Sequence, residues 1–333
     1  MRTRVSVKKL QLWVKIILLG VFFLSGSVTA KGDTIDWQAP FFQDHALVGK
    51  IWDTHKNAWL SVEQFEHEAV RYDYILLGET HNNPDHHKLQ VEIINSLLGA
   101  GKNPSVVMEM LSQNHWQGQP HRWSELAGLQ KQAELLNKGW PWELYEPILA
   151  SVVQSQLQLF AGNISREELH AWAAKGEGVS EKDILSEYAY SVDNYTTLKK
   201  NIIASHCGHG DPSFVSFMSR AQMQRDRIMA SLLINKKLPV VFIVGSGHVR
   251  NDYAVPMQLR RKYNQTSYLS VAYIEVQDGK NIPQDYLSDV PGPERSGLDG
   301  FGLYDILYFT PSHTNEDPCV KFRKQLQNMR SKK

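Results

Sequence analysis

Tyr74-Ile75-Leu76-Leu77-Gly78-Glu79-Thr80-His81 is an apolar run that breaks into a glycine, a carboxylate and an imidazole. Four apolar residues without polar alternation predict a strand buried on both faces, and the glycine lets the chain turn sharply at its end. Val240-Val241-Phe242-Ile243-Val244-Gly245-Ser246-Gly247-His248 repeats the plan. Each segment sets a histidine three residues past a glycine, and histidine binds metals and moves protons near neutral pH. The two segments are distant in sequence, so only folding brings His81 and His248 together.

Between these strands, Leu89, Ile93, Ile94, Leu97 and Leu98 keep helical spacing, and Pro104 restarts the chain as a strand over 105–108 that ends on Glu109. Strand, helix, strand with apolar strands predicts an α/β fold whose mostly parallel sheet is covered on both faces. Helices are expected over 61–71 and 213–234, and strands over 157–161, 240–244 and 268–276. Residues 112–230 read as a mainly helical insertion carrying Trp116, Trp123, Trp140, Trp142 and Trp172. A Pro- and Gly-rich loop over 282–302 is expected to end the core, with the tail from 304 to 319 packing back on the body.

The 333 residues are 42% hydrophobic and 21% charged, the composition of a globular chain with a sizeable core. Thirty-six basic against 35 acidic residues leave a net charge of +1, which offers no surface for nucleic acid. Arg2, Arg4, Lys8, Lys9 and Lys15 precede an apolar run over 16–24, and Val28 and Ala30 suit signal peptidase. Residues 1–30 therefore read as a signal peptide cleaved after Ala30, and 31–333 as a single domain in the periplasm. The run is shorter than the roughly 20 residues that span a bilayer, so the membrane is met only if that segment stays uncleaved. Cys207 and Cys319 are the two cysteines. In an exported chain they join as a disulfide, or else Cys207 is a metal ligand within Ser205-His206-Cys207-Gly208-His209.

In an open parallel sheet, ligands bind beyond the carboxyl ends of the strands, where Glu79, His81, Glu109 and His248 all fall. Mixed histidine and carboxylate ligands suit a divalent ion such as Zn, Mn or Co, with Glu79 or Glu109 as general base toward a metal-bound water. Asp85 reads as N-cap of the helix after the first loop, with at most one of His86 and His87 facing the pocket. A tyrosine in an apolar pocket can ligate ferric haem as phenolate, with arginine pairing the anion. Tyr145, within Trp140-Pro141-Trp142-Glu143-Leu144-Tyr145-Glu146-Pro147, and Tyr253, within Arg250-Asn251-Asp252-Tyr253, are placed for that.

With these residues assembled, the chain resembles the ChaN-like proteins of the haem-binding uptake branch of the Tiki superfamily. The matching stretches are 76–87, 107–110, 140–147, 205–208, 221–230, 244–256 and 317–319, with the Gly-Glu-Thr-His loop and the Gly-Ser-Gly-His-Val-Arg segment the most specific. The resemblance implies a three-layer α/β/α fold, export to the envelope, haem as cofactor and a homodimer on loading. It implies tyrosine ligation, with Tyr253 and then Tyr145 as candidates and Arg250 beside them. Related branches include metal-dependent peptidases and an esterase, so the resemblance also implies a metal-dependent hydrolase as the alternative, using Glu79, His81, Glu109 and His248. The chain departs from many ChaN-like proteins in having no cysteine after its apolar run for lipidation.

Overall fold

The computed structural model describes residues 35–113, 125–136, 139–175, 180–288 and 302–330. The chain divides into a unit Met1–Asp36 and a unit Trp37–Lys333, and the account below concerns the second. The expected signal segment, Trp116, Trp123 and most of the Pro- and Gly-rich loop lie outside the described residues.

Six described strands run parallel: β3 (Tyr74–Glu79), β4 (Ser105–Ser112), β5 (Gln158–Asn163), β6 (Val240–Gly245), β7 (Tyr268–Glu275) and β8 (Ile306–Thr310). Two antiparallel strands, β1 (Ile51–Asp53) and β2 (Ala58–Leu60), extend one edge, in the order β2-β1-β8-β7-β3-β6-β4-β5. The helices are α1 (Val62–Ala69), α2 (Pro84–Gly99), α3 (Leu126–Leu136), α4 (Glu146–Gln154), α5 (Arg166–Lys175), α6 (Glu181–Tyr188), α7 (Val192–Ser205), α8 (Pro212–Leu233), α9 (Val255–Tyr263), α10 (Pro283–Ser288) and α11 (Pro318–Arg330).

β3 is central because both of its edges are paired, to β6 and to β7, and all six of its residues are buried. Its side chains alternate between two cores. Ile75 and Leu77 pack with Val241, Ile243, Ile93 of α2 and Ile148 of α4, whereas Leu76 packs with Phe242, Met229 of α8 and Leu259 of α9. Helices thus cover both faces, giving three layers. Burying each such aliphatic side chain contributes about 1.5–3 kcal/mol, which is why no polar alternation marks these strands.

The helix expected over 61–71 is α1, opened by a capping box between Ser61 and Gln64. Asn83, not Asp85, is the N-cap of α2. Asp85 instead accepts the backbone N–H groups of Gln38 and Ala39, tying the lead-in to the helix start. The sheet does not end at the loop over 282–302, since β8 follows it and lies between β7 and β1. The strand expected over 157–161 within the mainly helical middle is β5, which pairs with β4. The edge strands β1 and β2 have three residues each, too few for a periodic signal.

Gly78 is demanded by a close approach. A Cβ there would collide with Val249 Cγ2, and would lie 2.9 Å from the backbone Cα of Ser246 and 3.1 Å from the carbonyl oxygen of Val271. The segment Ser246–Val249, one turn of 3-10 helix, therefore lies directly on β3. Gly78→Ala is expected to cost about 1–3 kcal/mol in chemical denaturation, because backbone cannot yield as a side chain does. A cost under about 0.5 kcal/mol would show that this turn shifts freely.

Candidate functional site

The carboxyl ends of β3, β4 and β6 carry a row of buried charge. Glu79 is 2% exposed, and both of its oxygens are engaged. Its Oε1 accepts from the Tyr145 hydroxyl at 2.5 Å and lies 2.9 Å from His81 Nδ1, while Oε2 accepts from Gln90 Nε2 at 2.7 Å. His87 donates Nδ1–H to the Leu144 carbonyl at 2.8 Å, which brings its Nε2 to 3.5 Å from Glu79 Oε2. Burial works against ionising Glu79, yet His87 and then His81 outweigh it and hold its pKa well below the ordinary carboxylate range.

His86 is also fully buried, but its role is different. Its Nδ1 accepts from the Thr80 N–H at 2.9 Å and its Nε2 faces Thr310 Oγ1 at 2.8 Å, which requires a neutral ring. Burial pushes its pKa down to about 3. Both histidines of the pair are thus inside, with His87 at the row and His86 pinning the loop to β8.

The second half of the row starts from α8. Asp226 Oδ1 lies 2.5 Å from His248 Nδ1, and His248 Nε2 lies 3.5 Å from Glu109 Oε1. Glu109 Oε2 accepts the Gly245 N–H at 2.8 Å. Burial works against the His248 cation, but Glu109 and then Asp226 outweigh it and raise its pKa to about 9. For Glu109 burial is likewise outweighed, by His248 first, and its pKa falls to about 2. Gly245 joins the halves: a Cβ there would sit 3.1 Å from His81 Nε2 and 3.4 Å from Glu109 Oε2, so its lack of a side chain leaves room for both beside it.

The structure therefore brings together Glu79, His81, Glu109 and His248, but as paired charges. Glu79 is engaged by Tyr145, Gln90 and His81, Glu109 by the Gly245 N–H, and His248 by Asp226. Among the described residues no group of three or more His, Cys, Asp or Glu side chains is arranged to hold a metal ion. Cys207 forms a disulfide with Cys319, so the alternative of a Cys207 metal ligand is corrected: a disulfide sulfur has no thiolate to offer.

Tyr145 is 0% exposed, and burial and then Glu79 raise its pKa far above the ordinary phenol value. Its ring stacks on His87 at 4.2 Å between centroids. Tyr253, 4% exposed, packs with Ile184, Leu198, Ile202 and Met223, and burial keeps its hydroxyl protonated despite the Arg250 guanidinium 4.7 Å from its ring centroid. Arg250, 2% exposed, makes a two-point pair with Asp252 at 3.0 and 2.6 Å.

A cavity of about 1110 Å³ opens beside the row, and of the residues singled out in the sequence as site candidates Glu109 alone lines it. Trp140, whose ring meets His81 edge-on at 4.9 Å, forms part of the wall with Leu169, Phe217 and Met218. Arg166 and Arg225 add positive charge, and the Nε of Arg225 is buried with no hydrogen-bond partner among the described residues. Gln222 connects cavity and row, its Nε2 lying 3.0 Å from His248 Nδ1. The sequence reading included Gln222, Arg225 and Asp226 within the matching stretch 221–230 but assigned none of them a place in the row, although their spacing of three and four sets them on one side of a helix. It also passed over Gln90, one α-helical turn beyond His86 and His87.

The sequence profile of the family described as haem-binding uptake, Tiki superfamily, ChaN matches residues 65–259. The chain belongs to this family. Among solved structures, ChaN of Campylobacter jejuni, described with cofacial heme binding, aligns with a TM-score of 0.60 and 21% identity, covering 78% of this chain and 95% of that one. That likeness is one of fold. An erythromycin esterase, EreC, in its open conformation aligns with a TM-score of 0.44 and 11% identity over 81% of this chain and 99% of that one. No curated protein matches. The stretch matching the ChaN family holds the charged row, from Glu79 to His248, and every residue that lines the cavity.

Proposed function

We propose that this member of the ChaN family binds haem in the cavity lined by Trp140, Phe217, Met218, Arg166 and Arg225, as an exported protein serving iron uptake. The cavity carries the reading. Its volume exceeds the roughly 300–1,000 Å³ of ordinary small-ligand sites, its walls combine aromatic and thioether groups, and Arg225 presents a buried Nε with no partner among the described residues. Haem asks for that combination: a large apolar plane and two carboxylates at one edge, which arginine pairs well. Haem would supply iron as cargo or as a redox-active centre; the chain supplies the apolar wall, the cations and the exclusion of water.

Titrating the protein with haemin is expected to give a saturable Soret shift with one break point. Arg166→Ala combined with Arg225→Ala is expected to weaken binding by about 10–100-fold, the loss of one to two charge-assisted contacts. No saturable shift in the wild-type protein, or an unchanged affinity in the double variant, would defeat the assignment of haem to this cavity. Homodimer formation on loading belongs to the same proposal, and size-exclusion chromatography with and without haemin reports it. Export is supported by the basic and then apolar start of the sequence and by the disulfide, which persists in oxidising compartments. Among the described residues no helix is long and apolar enough to cross a membrane.

A further inference from the structure

Neither Tyr145 nor Tyr253 lines the cavity, and both hydroxyls are buried and protonated. Among the described residues two histidines do line it, His170 on α5 and His206 at the end of α7. They differ in how they are held. His206 donates Nδ1–H to the carbonyl of Ile202, one helical turn earlier, at 2.7 Å. Its ring meets Phe214 edge-on at 5.1 Å and Phe322 of α11 at 5.9 Å. The next residue, Cys207, is tied through the disulfide to Cys319 on the same α11. His170 is exposed, is tilted against Phe217 at 5.6 Å, and has no hydrogen bond to another described residue that would orient it.

An imidazole whose Nδ1 proton is held by a backbone carbonyl keeps its lone pair on Nε2. That arrangement fixes tautomer and ring orientation in histidines that ligate metals. We infer that His206 Nε2 is the axial ligand for haem iron in this cavity, held in place by the Ile202 carbonyl, the two phenylalanine rings and the adjoining disulfide. The inference rests on the haem reading above. The step forms one coordinate bond from the Nε2 lone pair, displaces water or hydroxide, and moves no proton, because the ring's proton stays on Nδ1.

The test is the optical and electron paramagnetic resonance spectrum of the haemin-loaded full chain. The wild-type protein is expected to show histidine ligation. His206→Ala should lose that signature and bind haemin at least tenfold more weakly, and added imidazole should restore the spectrum. His206→Tyr should exchange it for a phenolate spectrum, which a purely structural role would not produce. His170→Ala should leave the spectrum unchanged. If His206→Ala and His206→Tyr both keep the wild-type spectrum, or if His170→Ala removes the histidine signature, His206 is not the ligand although haem is bound. If the wild-type protein fails to bind haemin at all, the haem reading itself falls, and the ligand assignment with it.

Discussion

Glu79→Ala is expected to lower the stability of the protein by about 3–5 kcal/mol, the cost of removing one partner from a buried charge pair. The carboxylate is the shared acceptor for Tyr145 and Gln90 and lies against His81 and His87, so its loss strands a phenol, an amide and one or two imidazoles in the interior. Urea denaturation at neutral pH measures this, and a loss below about 1 kcal/mol would mean that the neighbours find other partners. The same row sets the pH profile of the wild-type protein. The pKa values of Glu79 and Glu109 are lowered in the fold, so their contributions are present above the ordinary carboxylate value of about 4.3 and are lost as pH falls, for Glu109 through about 2. His248 works in the other direction: raised to about 9, it stabilises fully below about 6.5 and loses that contribution as pH rises through about 9. Stability should therefore be greatest near pH 6.5, because burying His86 neutral, with its pKa lowered to about 3, costs stability as pH falls below about 6.5, and His248 loses its contribution above it. Glu79→Ala should reduce the acid-side loss without removing it, since Glu109 and His86 remain, and should leave the part of the alkaline side that His248 sets.

Breaking the disulfide is expected to cost a similar amount. Cys207 and Cys319 are 112 residues apart, and closing a loop of that size removes about 4–5 kcal/mol of freedom from the unfolded chain. Thermal unfolding of Cys207→Ser together with Cys319→Ser, compared with the oxidised wild-type protein, reports the difference. Mass spectrometry of the unreduced protein checks the bond directly. A Tm unchanged by the double substitution would show that the tail is held by other contacts, of which Phe322 against His206 and His209 is one.

Much of the central sheet was legible because its strands are buried on both faces. Tyr74 to Leu77, Ser105 to Met108 and Val240 to Val244 carry no polar residue that packing could place in two ways, apart from Ser105, whose hydroxyl donates to the Lys237 carbonyl. β8 was read as a tail because Ile306-Leu307-Tyr308-Phe309-Thr310 follows a long Pro- and Gly-rich loop. Its place between β7 and β1 depends on pairing with strands distant in sequence, which no local pattern encodes. Asp85 shows the limit of local chemistry. An acid in the first turn of a helix looks like a cap, yet Asn83 takes that role and Asp85 reaches out to Gln38 and Ala39.

The sequence by itself determined that Glu79, His81 and His248 stand at strand ends, because strand polarity follows from residue order and apolar runs mark where strands stop; Glu109, expected there too, lies inside β4, which runs on to Ser112. It also placed the chain near the ChaN family through the two glycine-histidine segments. What those groups do to one another was decided by tertiary structure alone. The absent side chain of Gly245 leaves room for His81 and Glu109 beside it, Asp226 arrives from α8, and His87 arrives from α2, so four expected ligands become two networks of paired charge. Tyrosines that looked free to bind iron were closed into the interior, and the cavity opened instead against Trp140, His206, Phe217 and Arg225. Pairing and burial depend on distances between segments far apart in the chain, and those distances exist only once the chain has folded.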